Sequence, residues 1–406
     1  MFYPPGVIRM LDVDTDLAPL RCHLDAAGVD GYLIDDDASD ADQRYVSGFT
    51  APDPYQTLVT DDGVHLLVSG LEYGRAKSDA DADTITRLSA YDYRELVAKY
   101  GAAEGKIHAL AAFLEDHGVD SVSVPRNFPT GTADGLRDHG IEIDLESEGV
   151  VEEIRAIKTE PELEAIRESQ RANEAAMARA EALIASADVA GDGTLLTTDG
   201  DPLTSERVTE EIEVTLLRHG CGLDDTIVAC GVDGADPHDR GSGPLEADEL
   251  IVIDIFPRSK ETGYHADMTR TFARGDPGVE ARRRYEVTRD AYETALEAVE
   301  AGVTGADVHD AACDVIEAAG YDTLRSDPDT ETGFIHSTGH GVGLDVHEQP
   351  SVSPSGGELE DGHVISIEPG LYDPGVGGVR IEDLVVVTED GYENLTDYRV
   401  GLEPTS

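Results

Sequence analysis

Three carboxylates lie within apolar, strand-like stretches of the sequence: Asp254 in LIVIDIF, Glu368 in VISIEPG and Glu382 in VRIEDLVVV. An ionised carboxylate among apolar neighbours is normally neutralised, paired or bound to a metal, because burying it without compensation is costly. A single such carboxylate is more often an ion-pair partner, and Arg270 and Arg380 are available for that role. Three of them in similar settings favour a shared cation.

Two further residues complete a set of metal-binding side chains. Asp267 lies in GYHADMTRTF, and His340 lies in HSTGHGVGL. Together with the three strand carboxylates they offer oxygen and nitrogen donors suited to Mn, Co, Fe or Zn. The sequence therefore predicts a site for divalent metal.

The composition indicates a folded chain of two domains. The 406 residues exceed the usual size of one hydrophobic core, and 40% of them are hydrophobic. The chain carries 85 acidic against 30 basic residues, a formal charge of -55. Such a charge repels polyphosphate and anionic membrane surfaces, so we expect neither nucleic acid nor membrane as a partner. We interpret the acid-rich, lysine-poor composition as halophilic adaptation, which says nothing about substrate.

The start of the chain and its cysteines predict a cytoplasmic protein. The segment MFYPPGVIRMLDVD lacks the basic and apolar regions of a signal peptide. No stretch approaches the roughly 20 apolar residues that span a bilayer. The 4 cysteines are scattered and form no CxxC pair, which is typical of reduced thiols.

Elements that position these residues follow from the apolar pattern. Up to about residue 150, short apolar runs alternate with helix-like stretches such as Tyr93 to His117, which predicts an α/β domain. A capping box of Thr159 and Glu162 then begins a long helix. Further helices are predicted from Val279 to Ala301 and from Ala306 to Ala319, with residues 187–204 as an exposed connection. We predict domains at 1–150 and 151–406.

Four runs of the sequence resemble the signatures of a known family. DIFPRSKETGYHADMTRTF, FIHSTGHGVGLDVHEQP, SIEPGLY and GVRIEDLVVV resemble, in the same order, motifs of the pita-bread (M24) metallopeptidases. Within that superfamily the chain is similar to the branch of Xaa-Pro aminopeptidases and Xaa-Pro dipeptidases (prolidases). The resemblance implies an α/β (α+β) chain with a pita-bread catalytic domain preceded by a creatinase-like N-terminal α/β domain.

The resemblance also implies roles for individual residues. Two divalent ions, Mn or Co first and Zn or Fe as alternatives, would be held by five ligands: Asp254, Asp267, His340, Glu368 and Glu382. Asp267 and Glu382 would bridge both ions, Asp254 would bind one, and His340 with Glu368 the other. Asp254 and Asp267 are thirteen positions apart instead of the family's usual eleven, which a hairpin tip tolerates.

Further side chains match positions where the family contacts substrate. They are His238 in GADPHDRGSG, His336 in FIHSTGH and His347 in VHEQP. Glu368 would accept and donate protons in addition to binding metal, and Arg380 would orient a bridging carboxylate or the substrate. These residues form the predicted catalytic set.

The predicted activity is hydrolysis of Xaa-Pro peptide bonds with release of the N-terminal residue. The leading alternative is a dipeptidase that acts on Xaa-Pro dipeptides alone. A methionine aminopeptidase would lack the N-terminal domain, whereas a creatinase-like amidinohydrolase or a non-catalytic binding protein would lack the full ligand set. A proline-containing peptide is thus the expected substrate, and the resemblance also implies a homodimer.

Overall fold

The chain folds as two units, which meet in sequence between Arg155 and Ala156. A computed structural model describes residues 15–405. The predicted absence of a signal peptide concerns the first fourteen residues, which lie outside that range. No helix in the described part of the chain has both the length and the apolar character that a bilayer crossing requires.

The first unit is built on one six-stranded sheet with strand order β4-β3-β2-β1-β5-β6. The strands are β1 (Gly31–Asp36), β2 (Tyr55–Thr60), β3 (Gly63–Val68), β4 (Thr84–Arg87), β5 (Ser121–Val124) and β6 (Glu142–Leu145). The β1, β2 and β3 strands are antiparallel neighbours, and the outer pairs are parallel. The apolar runs predicted as strands near residues 31, 57, 64 and 119 all lie in this sheet.

Seven α-helices begin within the described residues of the same unit. They are α1 (Ala18–Ala27), α2 (Ala41–Ser47), α3 (Tyr73–Asp79), α4 (Tyr93–Tyr100), α5 (Ala102–Asp116), α6 (Thr130–Asp138) and α7 (Val150–Ala156). The stretch predicted as helical from Tyr93 to His117 is therefore two helices. Gly101 separates them with φ +88°, a left-handed backbone angle that a continuous helix cannot contain.

Up to residue 405, the second unit contains four α-helices and fourteen short strands. The helices are α8 (Glu160–Ser186), α9 (Ser205–Arg218), α10 (Gly278–Glu297) and α11 (Gly305–Ala318). The strands are β7 (Asp188–Val189), β8 (Leu195–Leu196), β9 (Cys221–Gly222), β10 (Thr226–Cys230), β11 (Leu250–Ile255), β12 (Arg258–Ser259), β13 (Met268–Ala273), β14 (Gly339–Gly341), β15 (Glu348–Val352), β16 (Val364–Ile367), β17 (Gly370–Asp373), β18 (Gly377–Arg380), β19 (Asp383–Thr388) and β20 (Gly391–Asn394).

These elements form two helix-on-sheet cores. The α8 and α9 helices contribute to one apolar core with the sheet β10-β11-β13, and α10 and α11 contribute to another with the sheet β15-β14-β16-β19-β20. The predicted capping box begins α8: the Glu162 carboxylate accepts hydrogen bonds from the Thr159 backbone N–H at 2.8 Å and hydroxyl at 2.6 Å. This arrangement buries one face of each sheet.

The segment from residue 187 to 204 differs from the prediction of a simple exposed connection. It contains the β7–β8 hairpin, and both Leu195 and Leu203 are buried in the core beneath α8 and α9. Those two leucines anchor a segment whose Gly, Asp and Thr content is otherwise that of a surface loop.

Candidate metal centre

The five predicted ligands lie at strand ends or on short strands of the second unit. Asp254 is the penultimate residue of β11, His340 is the middle residue of β14, and Glu368 follows β16 directly. Asp267 immediately precedes β13, and Glu382 lies between β18 and β19. All five line one cavity of about 690 Å³.

Three of the five side chains come close enough to share one ion. One ligand atom each from Asp267, His340 and Glu382 lies within 4.8 Å of the others. In addition, His340 Nε2 lies 3.2 Å from Glu368 Oε1 and 3.8 Å from Asp267 Oδ2. The carboxylates of Glu368 and Asp267 thus both lie close to Nε2 of His340.

Backbone hydrogen bonds fix two of these ligands. The Glu382 N–H donates to the Thr269 carbonyl at 3.1 Å, and the Glu368 N–H donates to the Thr338 carbonyl at 2.7 Å. Each bond ties a ligand to the strand or loop that carries another ligand. Their spacing therefore follows from the fold and not from side-chain flexibility alone.

Two glycines let His340 enter the sheet. A Cβ at Gly339 would collide with the Ser366 carbonyl, and one at Gly341 would collide with the Gln349 carbonyl. Because both neighbours are glycine, β14 fits between β15 and β16 with His340 between them. This explains why the motif reads GHG.

The hydrogen bonding of His340 determines which ring nitrogen faces the carboxylates. Nδ1 lies 3.1 Å from the Gly341 carbonyl, which can only accept, so Nδ1 carries a proton. Nε2 then points toward Glu368 and Asp267. In the neutral ring this nitrogen holds a lone pair, which is the form in which histidine binds metal.

Burial and mutual repulsion act on two of the carboxylates. Burial raises the pKa of Asp267 well above its usual value, and the charges of Glu382, Asp254 and Glu368 raise it further. Burial also raises the pKa of Glu382, again with repulsion from Glu368 and Asp254. A bound cation reverses this cost because it stabilises the ionised form of every carboxylate around it.

Glu368 behaves differently because its neighbours favour the ionised form. Burial opposes its ionisation, but the hydrogen bond from His340 and the charge of that ring when it is protonated, with smaller contributions from His336 and Arg380, outweigh that cost and lower its pKa to about 2. Glu368 is consequently ionised at neutral pH. An ionised, buried carboxylate is the state required of both a metal ligand and a proton acceptor.

The site fits divalent cations on observations of this structure. Asp254 Oδ1 and Asp267 Oδ1 are buried and have no hydrogen-bond partner among the described residues. The five predicted ligands bring four carboxylates and one imidazole to the cavity, a donor set that suits hard or borderline divalent ions. Asp254, Asp267, His340, Glu368 and Glu382 would hold them.

Arg380 connects the ligands to the cavity wall. It is buried, and its Nη2 donates to Asp254 Oδ2 at 2.7 Å while its Nε donates to the Thr269 hydroxyl at 3.1 Å. That hydroxyl donates to Glu382 Oε2 at 2.7 Å. We expected Arg380 to orient a bridging carboxylate or the substrate; in the structure it pairs with Asp254 directly and reaches Glu382 only through Thr269.

The network continues from Arg380 to His336. Arg380 Nη1 donates to the Tyr372 hydroxyl at 3.0 Å, and that hydroxyl lies 2.9 Å from His336 Nε2. His336 Nδ1 donates to the Ser337 carbonyl at 2.7 Å, and burial lowers the pKa of His336 to about 4. His336 is therefore a neutral, fully bonded part of the wall.

The other two predicted histidines are exposed to the same cavity. His238 and His347 both line it, and the ring of His347 packs edge-on against His340 with centroids 4.1 Å apart. Sequence reasoning missed Tyr372, whose role depends on a hydroxyl position that no motif reports. It also missed Asp225 and Arg240, which line the cavity as well.

Two protein-family models together match most of the chain. The model of metallopeptidase family M24 matches residues 164–389, and that of the creatinase/prolidase N-terminal domain matches residues 17–157. The chain belongs to metallopeptidase family M24. The predicted pita-bread fold with a creatinase-like N-terminal domain is thereby confirmed, as is the prediction of a metallopeptidase.

Relatives in family M24 cover nearly the whole chain. The Xaa-Pro dipeptidase of Pyrococcus furiosus is 30% identical over 92% of this chain and 95% of its own length. The structure of the Xaa-Pro dipeptidase from Bacillus anthracis matches with a TM-score of 0.79 at 26% identity, covering 95% of this chain and 98% of that one. The X-Pro aminopeptidase from Thermotoga maritima matches with a TM-score of 0.76 at 26% identity, covering 93% and 97%.

Membership of this family predicts that divalent metal stabilises the fold. Chelation should lower the melting temperature, and Mn²⁺ or Co²⁺ should restore it, because bound cations relieve the repulsion around Asp267 and Glu382. The gain should be about 2.7 kcal/mol per ion at a hundredfold excess over Kd. Calorimetry with and without chelator measures it. The double variant D267N/E382Q should respond to neither treatment, and a wild-type melting temperature that ignores both would contradict the prediction.

Proposed function

We propose that this metallopeptidase hydrolyses the peptide bond between an N-terminal residue and proline. One observation carries the proposal: all five predicted ligands line the same cavity as the exposed histidines His238 and His347. The relatives named above are Xaa-Pro dipeptidases and an X-Pro aminopeptidase, which supports proline-containing peptides as the substrate class.

The roles of this chain's own residues follow from their positions. When bound, divalent ions polarise the scissile carbonyl and acidify water. Glu368, ionised at neutral pH, accepts the proton of the attacking water and passes it to the proline nitrogen. The hydroxyl of that water stays on the carbonyl carbon of Xaa, so the carbon–nitrogen bond breaks and two amino-acid termini result.

The histidines would act on the substrate in different ways. His347 and His238 are exposed to the cavity and can donate to the carbonyl oxygen as it gains negative charge. A single donor of this type contributes about 3 kcal/mol in other enzymes. His336 uses both ring nitrogens within the protein, so its part is to shape the wall.

Dipeptidase action is the better supported of two specificities. We first expected an aminopeptidase that also cuts longer peptides, with the dipeptidase as the alternative. The Pyrococcus and Bacillus relatives are both dipeptidases, whereas the Thermotoga relative is an aminopeptidase. We therefore propose dipeptidase activity first and aminopeptidase activity as the second candidate.

Other parts of the proposal rest on composition or resemblance. We propose Mn²⁺ or Co²⁺ as the native metal, a homodimer as the assembly and a salt-rich cytoplasm as the setting. Light scattering after size exclusion in molar salt tests the dimer, and metal analysis of protein purified without added metal tests the ions.

A direct test of the activity compares three peptides. With Mn²⁺ or Co²⁺ in molar salt, we expect cleavage of an Xaa-Pro dipeptide, slower or no cleavage of an Xaa-Pro-Yaa tripeptide and none of a proline-free dipeptide. Chromatographic detection of the released N-terminal residue measures each rate. Equal cleavage of the proline-free peptide would refute the proline requirement, and faster cleavage of the tripeptide would favour the aminopeptidase.

A further inference from the structure

One arginine side chain among the described residues of the cavity wall makes no hydrogen bond or ion pair with the predicted metal ligands. Among its described lining residues, two carry a permanent positive charge, Arg240 and Arg380. Arg380 is buried and committed to Asp254, Thr269 and Tyr372, so it cannot turn toward a substrate without releasing a ligand. Arg240 has no bond to any of the five ligands, and 62% of its side chain is exposed.

The backbone of Arg240 is held firmly against β10. The Val228 N–H of that strand donates to the Arg240 carbonyl at 3.0 Å. The next residue, Gly241, has φ +75°, and a Cβ there would collide with the Val228 carbonyl. The loop that carries His238 and Arg240 is therefore fixed to a strand of the core.

The guanidinium of Arg240 is also oriented. Its Nε donates to Asp225 Oδ2 at 2.5 Å, and its Nη2 pairs with the same oxygen. Its Nη1 donates to the His238 carbonyl at 2.9 Å. A guanidinium has five N–H groups, so one N–H on each terminal nitrogen stays available for a ligand. Because the group is already oriented, binding costs little conformational entropy.

A free dipeptide has a feature that such a group recognises. Its proline carries a free carboxylate. In a longer peptide or in a C-terminal amide, the proline has no such carboxylate. The cavity wall is otherwise rich in carboxylates, including Asp225, Asp254 and Glu368, which repel a second anion. Two parallel N–H groups of an arginine match the planar carboxylate and offset that repulsion.

We infer that Arg240 binds the terminal carboxylate of the substrate's proline and thereby selects dipeptides over longer peptides. This inference rests on the proposed Xaa-Pro activity and names its substrate class more narrowly. Asp225 acts as the positioning residue that holds the guanidinium toward the cavity.

The test compares an Xaa-Pro dipeptide with its C-terminal amide in wild type and in Arg240→Gln. For the dipeptide we expect KM to rise by about tenfold or more in the variant, the size of a lost charge-assisted hydrogen bond, with kcat little changed. For the amide, which has no carboxylate, KM should stay the same in both proteins. Arg240→Lys keeps the charge but not the planar fork and should recover part of the dipeptide preference.

Controls separate this inference from general damage. Arg207→Gln removes an exposed arginine of α9 that pairs with Glu210 and Glu211, so it makes the same change in net charge away from the cavity. It should leave both KM values unchanged, and melting temperatures check the fold of each variant. An equal loss for dipeptide and amide in Arg240→Gln would overturn the role of Arg240 while leaving the activity intact. A wild type that cleaves neither substrate would instead refute the proposed function.

Discussion

Replacing Glu368 with Gln should abolish turnover while the fold is retained. The substitution keeps the size of the side chain but removes the only group in the proposed mechanism that accepts and returns a proton. General acid–base catalysis alone contributes about 10²- to 10⁴-fold, and loss of a metal ligand adds to it. We therefore expect kcat to fall at least about a thousandfold, measured as proline released from an Xaa-Pro dipeptide.

A matched control distinguishes chemistry from folding. Glu389→Gln changes an exposed glutamate after β19 and should leave kcat unchanged. Circular dichroism and the melting temperature should show both variants folded. Activity of Glu368→Gln within tenfold of wild type would contradict the assigned role, because proton transfer would then not depend on Glu368.

Breaking the buried ion pair between Lys158 and Glu348 should give the largest loss of stability. Lys158 Nζ lies 2.6 Å from Glu348 Oε1, and each side chain is 1% exposed. Lys158 also donates to the Ala156 carbonyl at 3.0 Å. Lys158→Met leaves a buried carboxylate without its cation, which typically costs about 3–5 kcal/mol.

A double-mutant cycle makes this prediction specific. Lys158→Met combined with Glu348→Met leaves no unpaired charge and should recover much of the loss, since an apolar pair often replaces a buried ion pair at little cost. Urea unfolding of the four proteins measures the coupling free energy. As a control, Arg207→Met breaks an exposed pair and should cost less than about 1 kcal/mol. A similarly small cost for Lys158→Met would show that the pair contributes little.

The same pair is relevant to the active site because Glu348 follows His347. Glu348 is the first residue of β15, whose neighbour β14 carries His340. Loss of Lys158 should therefore disturb the position of the His347 ring as well as stability. This effect should appear as a change in kcat or KM, measured at a low temperature at which the variant remains folded.

The convergence of the five predicted ligands on one cavity was predictable because a carboxylate in an apolar stretch is a local signal. Asp254, Glu368 and Glu382 are polar residues in apolar strands, and burial of charge requires a partner that the sequence alone can suggest. The helix start at Thr159 and Glu162 was equally local. Such features depend on residues that are neighbours along the chain.

What escaped prediction depends on contacts between distant segments. Tyr372 reads as an ordinary strand residue, and only the folded chain places its hydroxyl between Arg380 and His336. The division at Gly101 depended on a backbone angle, since glycine is tolerated in many helices. The burial of Leu195 and Leu203 was not predicted because the average composition of their segment is polar.

The chain of hydrogen bonds from Asp254 through Arg380 and Tyr372 to His336 also limits how this enzyme can diverge. A change of His336 would remove a partner of the Tyr372 hydroxyl, which accepts from Arg380, the residue paired with the predicted ligand Asp254. Phe256, Ile335 and Val346 line the same cavity as apolar side chains. New substrate preferences are therefore expected to evolve, or to be engineered, through those three positions before they involve the histidine.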